Sequence, residues 1–159
     1  MSLRPATEDD IVGLALLDRK TNPSPWNESH FEAELTKPFS KVWVLTDDET
    51  DSEILGFTAW ELSDNYGRIN QIAVEPTLKR KGLGSQFLNS IVTELLRKSV
   101  PVLELEVRNS NTVALDFYQA RGFEITKKIK GFYSNGDDAY VLGLDLTDQA
   151  KTLKKIEKA

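Results

Sequence analysis

The stretch RINQIAVEPTLKRKGLGSQFL, residues 68–88, constrains the fold more than any other part of the chain. Its apolar-rich run over 69–74 reads as a strand, Pro76 stops it, a basic loop follows, and Gly82 and Gly84 open an amphipathic helix predicted to reach Lys98. The first turn of a helix leaves about four N–H groups unpaired and carries the positive end of the macrodipole, so an anion is stabilised there. Phosphate is the matching anion. Gly82 and Gly84 permit close backbone approach or positive φ, and Lys79, Arg80 and Lys81 add charge. The same residues would equally serve as a solvated, flexible helix start, and both readings stand at this point. Two familiar phosphate cradles are excluded: there is no GxxxxGK[ST], and no third spaced glycine follows near Leu88.

With 159 residues and 40% hydrophobic content, the chain is expected to form one compact domain over residues 1–146, followed by a Lys-rich tail over 147–159 that reads as a frayed helix. Without cysteine there are no disulfides, thiolate metal sites or cysteine nucleophiles, and one histidine, His30, cannot build a histidine cluster, so no metal site is expected. A net charge of −5 argues against a general nucleic-acid binder. The local basic cluster suits a compact polyphosphate instead. No basic-then-apolar leader and no apolar run near the roughly 18 residues of a membrane span are present, so the chain is read as cytoplasmic, with no membrane partner.

Residues 2–6 read as a strand, and Thr7 with Asp10 forms a capping-box-like start to a helix reaching Lys20. The segment TNPSPW over 21–26 is irregular, and Asn27 or Ser29 caps a second helix ending before Pro38. Trp26 either walls a pocket or plugs the core. Strands over 41–46 and 54–62 form a hairpin, and a turn over 63–67 leads to the strand before the glycine loop, giving an antiparallel meander. In the strand 102–107, Leu103, Leu105 and Val107 share one face while Glu104, Glu106 and Arg108 share the other. That charged face is either a solvent-facing edge with a cross-strand salt bridge or a charged cleft. A helix follows, capped at Gly122, with Asn111, Ala114 and Tyr118 on one stripe that either lines a channel or packs in the core. Residues 123–129 and 139–145 read as strands, with Asn135-Gly136 as a hairpin turn signal.

Taken together, over residues 3–146, these pieces resemble the GNAT superfamily of acetyl-CoA-dependent N-acetyltransferases. KRKGLG is similar to that family's Q/R-x-x-G-x-G/A pyrophosphate loop, with Lys79 where Gln or Arg is usual. LELEVRNSNTVALDFYQARGF is similar to the LEVR-x-SN-x-x-A-x-x-x-Y-x-x-x-GF segment of ribosomal-protein-alanine N-acetyltransferases, and the PSPW segment agrees. KGFYSNGDDAYVLGLDL resembles the closing hairpin of N-terminal (α-amino) acetyltransferases, where a tyrosine pair contacts the substrate peptide; here the first is Phe132 and the second Tyr133.

The resemblance implies an α/β fold whose mixed central sheet, of about seven strands splayed into a V, is flanked by about four helices. It implies acetyl-CoA as cosubstrate, held by Lys79, Arg80, Lys81, Gly82, Leu83, Gly84 and Ser85 at its pyrophosphate and by the backbone of Ile72, Ala73 and Val74 along its pantetheine arm. By position, Glu106 matches the general base, Tyr118 the general acid and a coenzyme contact, and Asn111 a coenzyme-binding amide. Tyr133, Phe132 and Trp26 fall to the acceptor, with Phe31 a further candidate wall. The implied acceptor is a protein or peptide N-terminus, a ribosomal protein among the candidates. Other readings are a GNAT enzyme acting on lysine or a small amine, and a silent acetyl-CoA sensor; retention of Glu106 and Tyr118 argues against the last.

Overall fold

The computed structural model describes residues 1–50, 53–78 and 81–147. Lys79, Arg80 and the tail helix expected beyond Thr147 lie outside the described residues. The strands are β1 (Ser2–Pro5), β2 (Ser40–Thr46), β3 (Ile54–Leu62), β4 (Gly67–Val74), β5 (Val102–Arg108), β6 (Glu124–Ile129) and β7 (Ala139–Asp145). The helices are α1 (Ile11–Thr21), α2 (Glu28–Thr36), α3 (Leu83–Arg97) and α4 (Thr112–Ala120). Strands hydrogen-bond in the order β1-β2-β3-β4-β5-β7-β6. β1 to β3 and β5 to β7 to β6 pair antiparallel, whereas β4 and β5 pair parallel, giving the mixed α/β sheet that was expected. The parallel ladder has the rungs Gly67↔Leu103, Arg68↔Glu104 and Ile69↔Leu105, so residues 70–74 of β4 stand outside it.

The chain gathers into two compact units, one of Met1–Leu62 with Asn70–Leu88, the other of Ser63–Ile69 with the residues from Asn89 onward. In the first unit, period-two alternation sends neighbouring side chains to opposite faces. Val42 and Val44 of β2, Phe57 and Ala59 of β3 and Ala73 of β4 pack with Leu14, Ala15 and Leu17 of α1 and Phe31 of α2. Leu45, with Trp43, Ile72 and Val74, packs with Leu83 and Phe87 of α3. Covered on both faces, these strands read as near-continuous apolar runs. A Cβ at Gly56 would come within 3.1 Å of the Phe87 ring and 3.0 Å of the Ala73 carbonyl oxygen, so the glycine lets α3 close on the sheet. Glu75 N–H donates to the Leu55 carbonyl at 2.8 Å and Thr58 Oγ1 to the Gln71 carbonyl at 3.2 Å. Position 55 meets 75 and position 58 meets 71, so one strand's numbering rises as the other's falls, as in an antiparallel pair, and the expected meander is present.

Helix starts follow the side-chain signals. A 3-10 turn over Glu8–Asp10 precedes α1, and the Asp10 carboxylate accepts from Thr7 N–H at 2.8 Å. Asn27 Oδ1 accepts from His30 N–H at 2.8 Å and begins α2, which stops two residues before Pro38. In the second unit, Leu103, Leu105 and Val107 of β5 are buried and alternate with partly exposed Glu104, Glu106 and Arg108. Gly67 admits no Cβ, which would lie 2.7 Å from Leu95 of α3. Gly122, at φ +95°, ends α4 as a helix-capping glycine. The Asn135-Gly136 signal marks a turn, with Gly136 at φ +91° and its N–H donating to the Tyr133 carbonyl at 2.9 Å. That turn sits at the tip of the longer loop 130–138, because the Asn135 side chain is engaged by neighbours in the loop and on β5.

Asp10 is 5% exposed, and Arg4 grips it through Nη1 at 2.8 Å and Nη2 at 3.0 Å. The hydrogen bond from Arg4 is the largest influence on its carboxyl and, with Thr7, holds it below the ordinary carboxylate range against the opposing effect of burial. A depressed folded pKa means the contribution is present above the unfolded value of about 4 and is lost as pH falls through the folded one. Asp10→Ala is expected to cost about 2 to 3 kcal/mol at pH 7. Denaturant titrations should find the gap between parent and variant narrowing below about pH 4, where the native carboxylate protonates.

Candidate active site

The charged face of β5 is the centre of the second unit's polar chemistry. β5 is an interior strand between β4 and β7, so the sheet-edge reading of this face does not hold. The cross-strand salt bridge does: Arg68 Nη2 contacts Glu106 Oε1, and Arg68 Nη1 lies 4.0 Å from Glu104 Oε2. Of the two carboxylates Glu106 is the more sheltered, its side chain 12% exposed against 39% for Glu104. Two residues further along the face, Arg108 Nη1 donates to Asn135 Oδ1 at 3.0 Å and to Asp137 Oδ2 at 3.2 Å. Its guanidinium carbon stands 3.8 Å from the centroid of the Tyr133 ring, a cation–π contact that fixes the ring against the strand. Phe132, 47% exposed, meets Tyr133 edge to face. Burial pushes the Tyr133 phenol up, and the neighbouring Arg108 charge works against that.

Tyr118 is buried on α4, edge to face with Phe123 at 5.3 Å. The core-packing reading is therefore right for its ring, while its hydroxyl has no hydrogen-bond partner among the described residues. Desolvation pushes the phenol up to about 12, with the Arg121 charge opposing. Asn111 stands exposed ahead of α4, and its Oδ1 accepts from Ala114 N–H at 3.1 Å. The helix thus uses the amide oxygen and leaves the NH2 group for any ligand.

The first unit holds the glycine loop. Gly82 sits at φ +81° with nothing within 4 Å of a Cβ position, so its glycine is required by backbone conformation and not by space. The helix's own bonding begins with Gln86 N–H to the Gly82 carbonyl at 3.0 Å. Lys81 is exposed, whereas Leu83 is 4% exposed and packs in the core, so Leu83 can offer a ligand only its backbone. An open approach to a positive-φ glycine, a helix start and an exposed lysine fit a pyrophosphate. Ile72 and Val74 are half-buried and Ala73 is buried, so β4 likewise presents backbone more than side chain.

Trp26 stacks on His30 at 3.9 Å and packs against the first unit's core, as the plug reading expects. Phe31 is 0% exposed and edge to face with Phe57, which removes it as a wall: the core takes its whole surface. Sequence reasoning missed Asp18, buried inside α1, whose carboxylate accepts from Trp26 N–H at 2.9 Å, Gln71 Nε2 at 2.8 Å and Asn22 Nδ2. It also missed Arg68, whose only signal was a charge placed between the buried Gly67 and Ile69 of β4.

Residues 11–123 match the acetyltransferase (GNAT) family. The chain belongs to that family. A [ribosomal protein bS18]-alanine N-acetyltransferase of Salmonella typhimurium is 25% identical over 141 residues, 87% of this chain and 93% of the relative. An N-alpha-acetyltransferase of Saccharolobus solfataricus is 27% identical over 156 residues, 91% of this chain and 93% of the relative. The crystal structure of the Escherichia coli ribosomal-protein-S18-alanine N-acetyltransferase superposes with a TM-score of 0.81 at 24% identity, over 91% of this chain and 92% of that one. The protein is thus an N-acetyltransferase with the GNAT fold, and acetyl-CoA is its cosubstrate. No helix among the described residues of this acetyltransferase is long and apolar enough to cross a membrane.

The raised Tyr118 phenol has a consequence for stability. Above pH 10 an unfolded tyrosine releases its proton while the folded one keeps it, so stability falls as pH rises from about 10 toward 12, by about 2 to 3 kcal/mol. Tyr118→Phe should flatten that part of the slope, which chemical denaturation of parent and variant between pH 9 and 11.5 would measure as a gap changing with pH.

Proposed function

We propose that this acetyltransferase, working in the cytoplasm through a domain over residues 1–146, acetylates the α-amino group at the N-terminus of a protein or peptide, a ribosomal protein among the candidates. The observation that carries this reading lies on one strand. Glu106 and Arg108 share a face of β5, and Arg108 carries Tyr133 on its guanidinium at 3.8 Å, so a proton acceptor and an aromatic fit to grip a peptide backbone belong to the same rigid element. The relatives named for alanine and N-alpha acetylation support the same acceptor class.

Acetyl-CoA supplies an acyl thioester, and the incoming nitrogen displaces its thiol. The chain must accept a proton from the amine and donate to the departing sulfur. Glu106 takes the first role, directly or through a water. Tyr118 takes the second: with a pKa of about 12 it stays protonated throughout the working range, and its hydroxyl is not engaged by a described residue. Since a thiol ionises near about 8.5, such a phenol acts chiefly by hydrogen-bonding the developing thiolate. An α-amino group, with a pKa of about 8, is partly neutral at pH 7, whereas lysine near about 10.4 is almost wholly charged, so a carboxylate suffices for the former. By the family resemblance, Ile72 to Val74, residues Lys79 to Ser85 and the Asn111 amide are assigned to the coenzyme. Tyr133, with Phe132 beside it and Trp26 as a candidate wall, holds the acceptor. An apolar wall discriminates by only about 1 to 3 kcal/mol per methylene, so several small first residues, Ala and Ser foremost, should be accepted.

Gly84→Val places a branched side chain in the first turn of α3 and should weaken acetyl-CoA binding about tenfold or more; an unchanged affinity by calorimetry on the folded variant would remove the loop from the coenzyme site.

The acceptor is tested with matched peptides, one with a free N-terminus and no lysine, the other with a blocked N-terminus and an internal lysine, the acetyl group being located by mass spectrometry. Acetyl on the free N-terminus is expected; modification confined to lysine would overturn the reading. In the same assay Glu106→Gln and Tyr118→Phe should each lower kcat by about 10²- to 10⁴-fold, with the Glu106→Gln loss shrinking at high pH where more amine is neutral. Tyr133→Ala should raise the peptide KM.

A further inference from the structure

The geometry points to Arg68 as a positioning residue of the reaction: its guanidinium, forked between Glu106 and Glu104, holds the Glu106 carboxylate aimed for the incoming amine. This rests on the reading of Glu106 as the proton acceptor.

The register brings Arg68 to that place. In a parallel pair, residues on one rung share a face, and Arg68 is level with Glu104. Its side chain reaches past that rung: Nη2 meets Glu106, while Nη1 stays 4.0 Å from Glu104. Glu104 and Glu106 lie on one face about 7 Å apart along the strand, a span that two arms of a planar guanidinium can serve and a single ammonium cannot. The closer contact goes to Glu106, the more sheltered carboxylate, where an ion pair is least screened. On its other side Arg68 is fixed by its neighbours, since Gly67 lies against Leu95 and Ile69 is buried. Arg68 also occupies the middle of the three rungs, so its backbone is held where the ladder is formed.

The charges around Glu106 show why one guanidinium matters. On its own strand the face carries Glu104 and Arg108, and Arg108 is committed to Asn135, Asp137 and Tyr133. From β4 comes Arg68. On β7 the residues level with Arg108, Glu106 and Glu104 are Ala139, Val141 and Gly143, none of them charged, and beyond Val141 on β6 lies Lys127, about 10 Å off across two strand spacings. Among the described residues of these strands, Arg68 is therefore the cation that counters the Glu104–Glu106 pair. Removing it would leave two carboxylates sharing a face with no fork to fix the direction of either.

The test compares kcat and both KM values for the parent, Arg68→Gln, Arg68→Lys and Glu106→Gln with the N-terminal peptide. Arg68→Gln should lower kcat about 10- to 100-fold through misplacement of Glu106, with the acetyl-CoA and peptide KM kept. Arg68→Lys restores charge but not the fork, so it should recover little of kcat. A folded Arg68→Gln enzyme with the parent's kcat, or one that loses activity through KM alone, would overturn the inference, leaving Arg68 a structural ion pair only. Should Arg68→Gln fail to fold, Arg68→Lys decides: a kcat equal to the parent's overturns the inference, and a loss in kcat with both KM values kept supports it. The underlying reading fails separately, through Glu106→Gln turning over like the parent.

Discussion

A carboxylate taken out of water costs several kcal/mol unless donors replace its hydration, and this fold answers that cost with a partner from another segment each time. Asp10 of the turn before α1 meets Arg4 of β1, and Asp18 of α1 collects donors from Asn22, the Trp26 backbone and Gln71 of β4. Glu34 of α2, 4% exposed, meets Lys37 at 2.6 Å and Ser40 at 2.6 Å. Glu106 of β5 meets Arg68 of β4. Each such pairing forces a geometric choice that apolar packing alone would leave loose, because a hydrogen bond is directional and a hydrophobic contact is not.

Those choices are what present the loops. The segment 22–26, with two prolines and no helix or strand, gains its course from Asp18, which holds it at the Trp26 N–H and ties it to Gln71 53 residues away. The loop 130–138 is organised in the same way from β5: Arg108 reaches Asn135 and Asp137, and Asn135 Oδ1 also accepts from Asp137 N–H at 3.0 Å. Tyr133 then rests on the guanidinium that ordered its own loop. The Tyr133 ring is thereby coupled to strand position, so a substitution at Arg108 would be felt through a ring it touches only by its face.

The parts of this structure written in the sequence are the periodic ones. The alternation of 102–108, the capping residues Asp10 and Asn27, and the stop at Gly122 are local signals, and each element formed where its signal stood. Long-range partners were not legible, since nothing near Arg68 names Glu106, 38 positions on. The edge-or-cleft ambiguity of β5 had the same root: alternation tells which residues share a face but not how many strands lie beside it. Phe31 and Trp26 show the limit for aromatics, where one is wholly core and the other partly so although both flank the same irregular segment. Asn135-Gly136 gave a true turn but not its loop length, which depends on side-chain bonds to a distant strand.

An apolar surround keeps the Tyr118 phenol neutral, its pKa pushed up to about 12, so it does not change state between about pH 6 and 9. On the reading proposed above, a phenol fixed in this way can only donate, and the variable left is the amine. Its neutral fraction sets how often an encounter is productive, and near pH 7 that fraction is larger by more than a hundredfold for a group of pKa about 8 than for one near about 10.4. On that reading an acceptor chain's first nitrogen is favoured over its lysines before any pocket has made a contact.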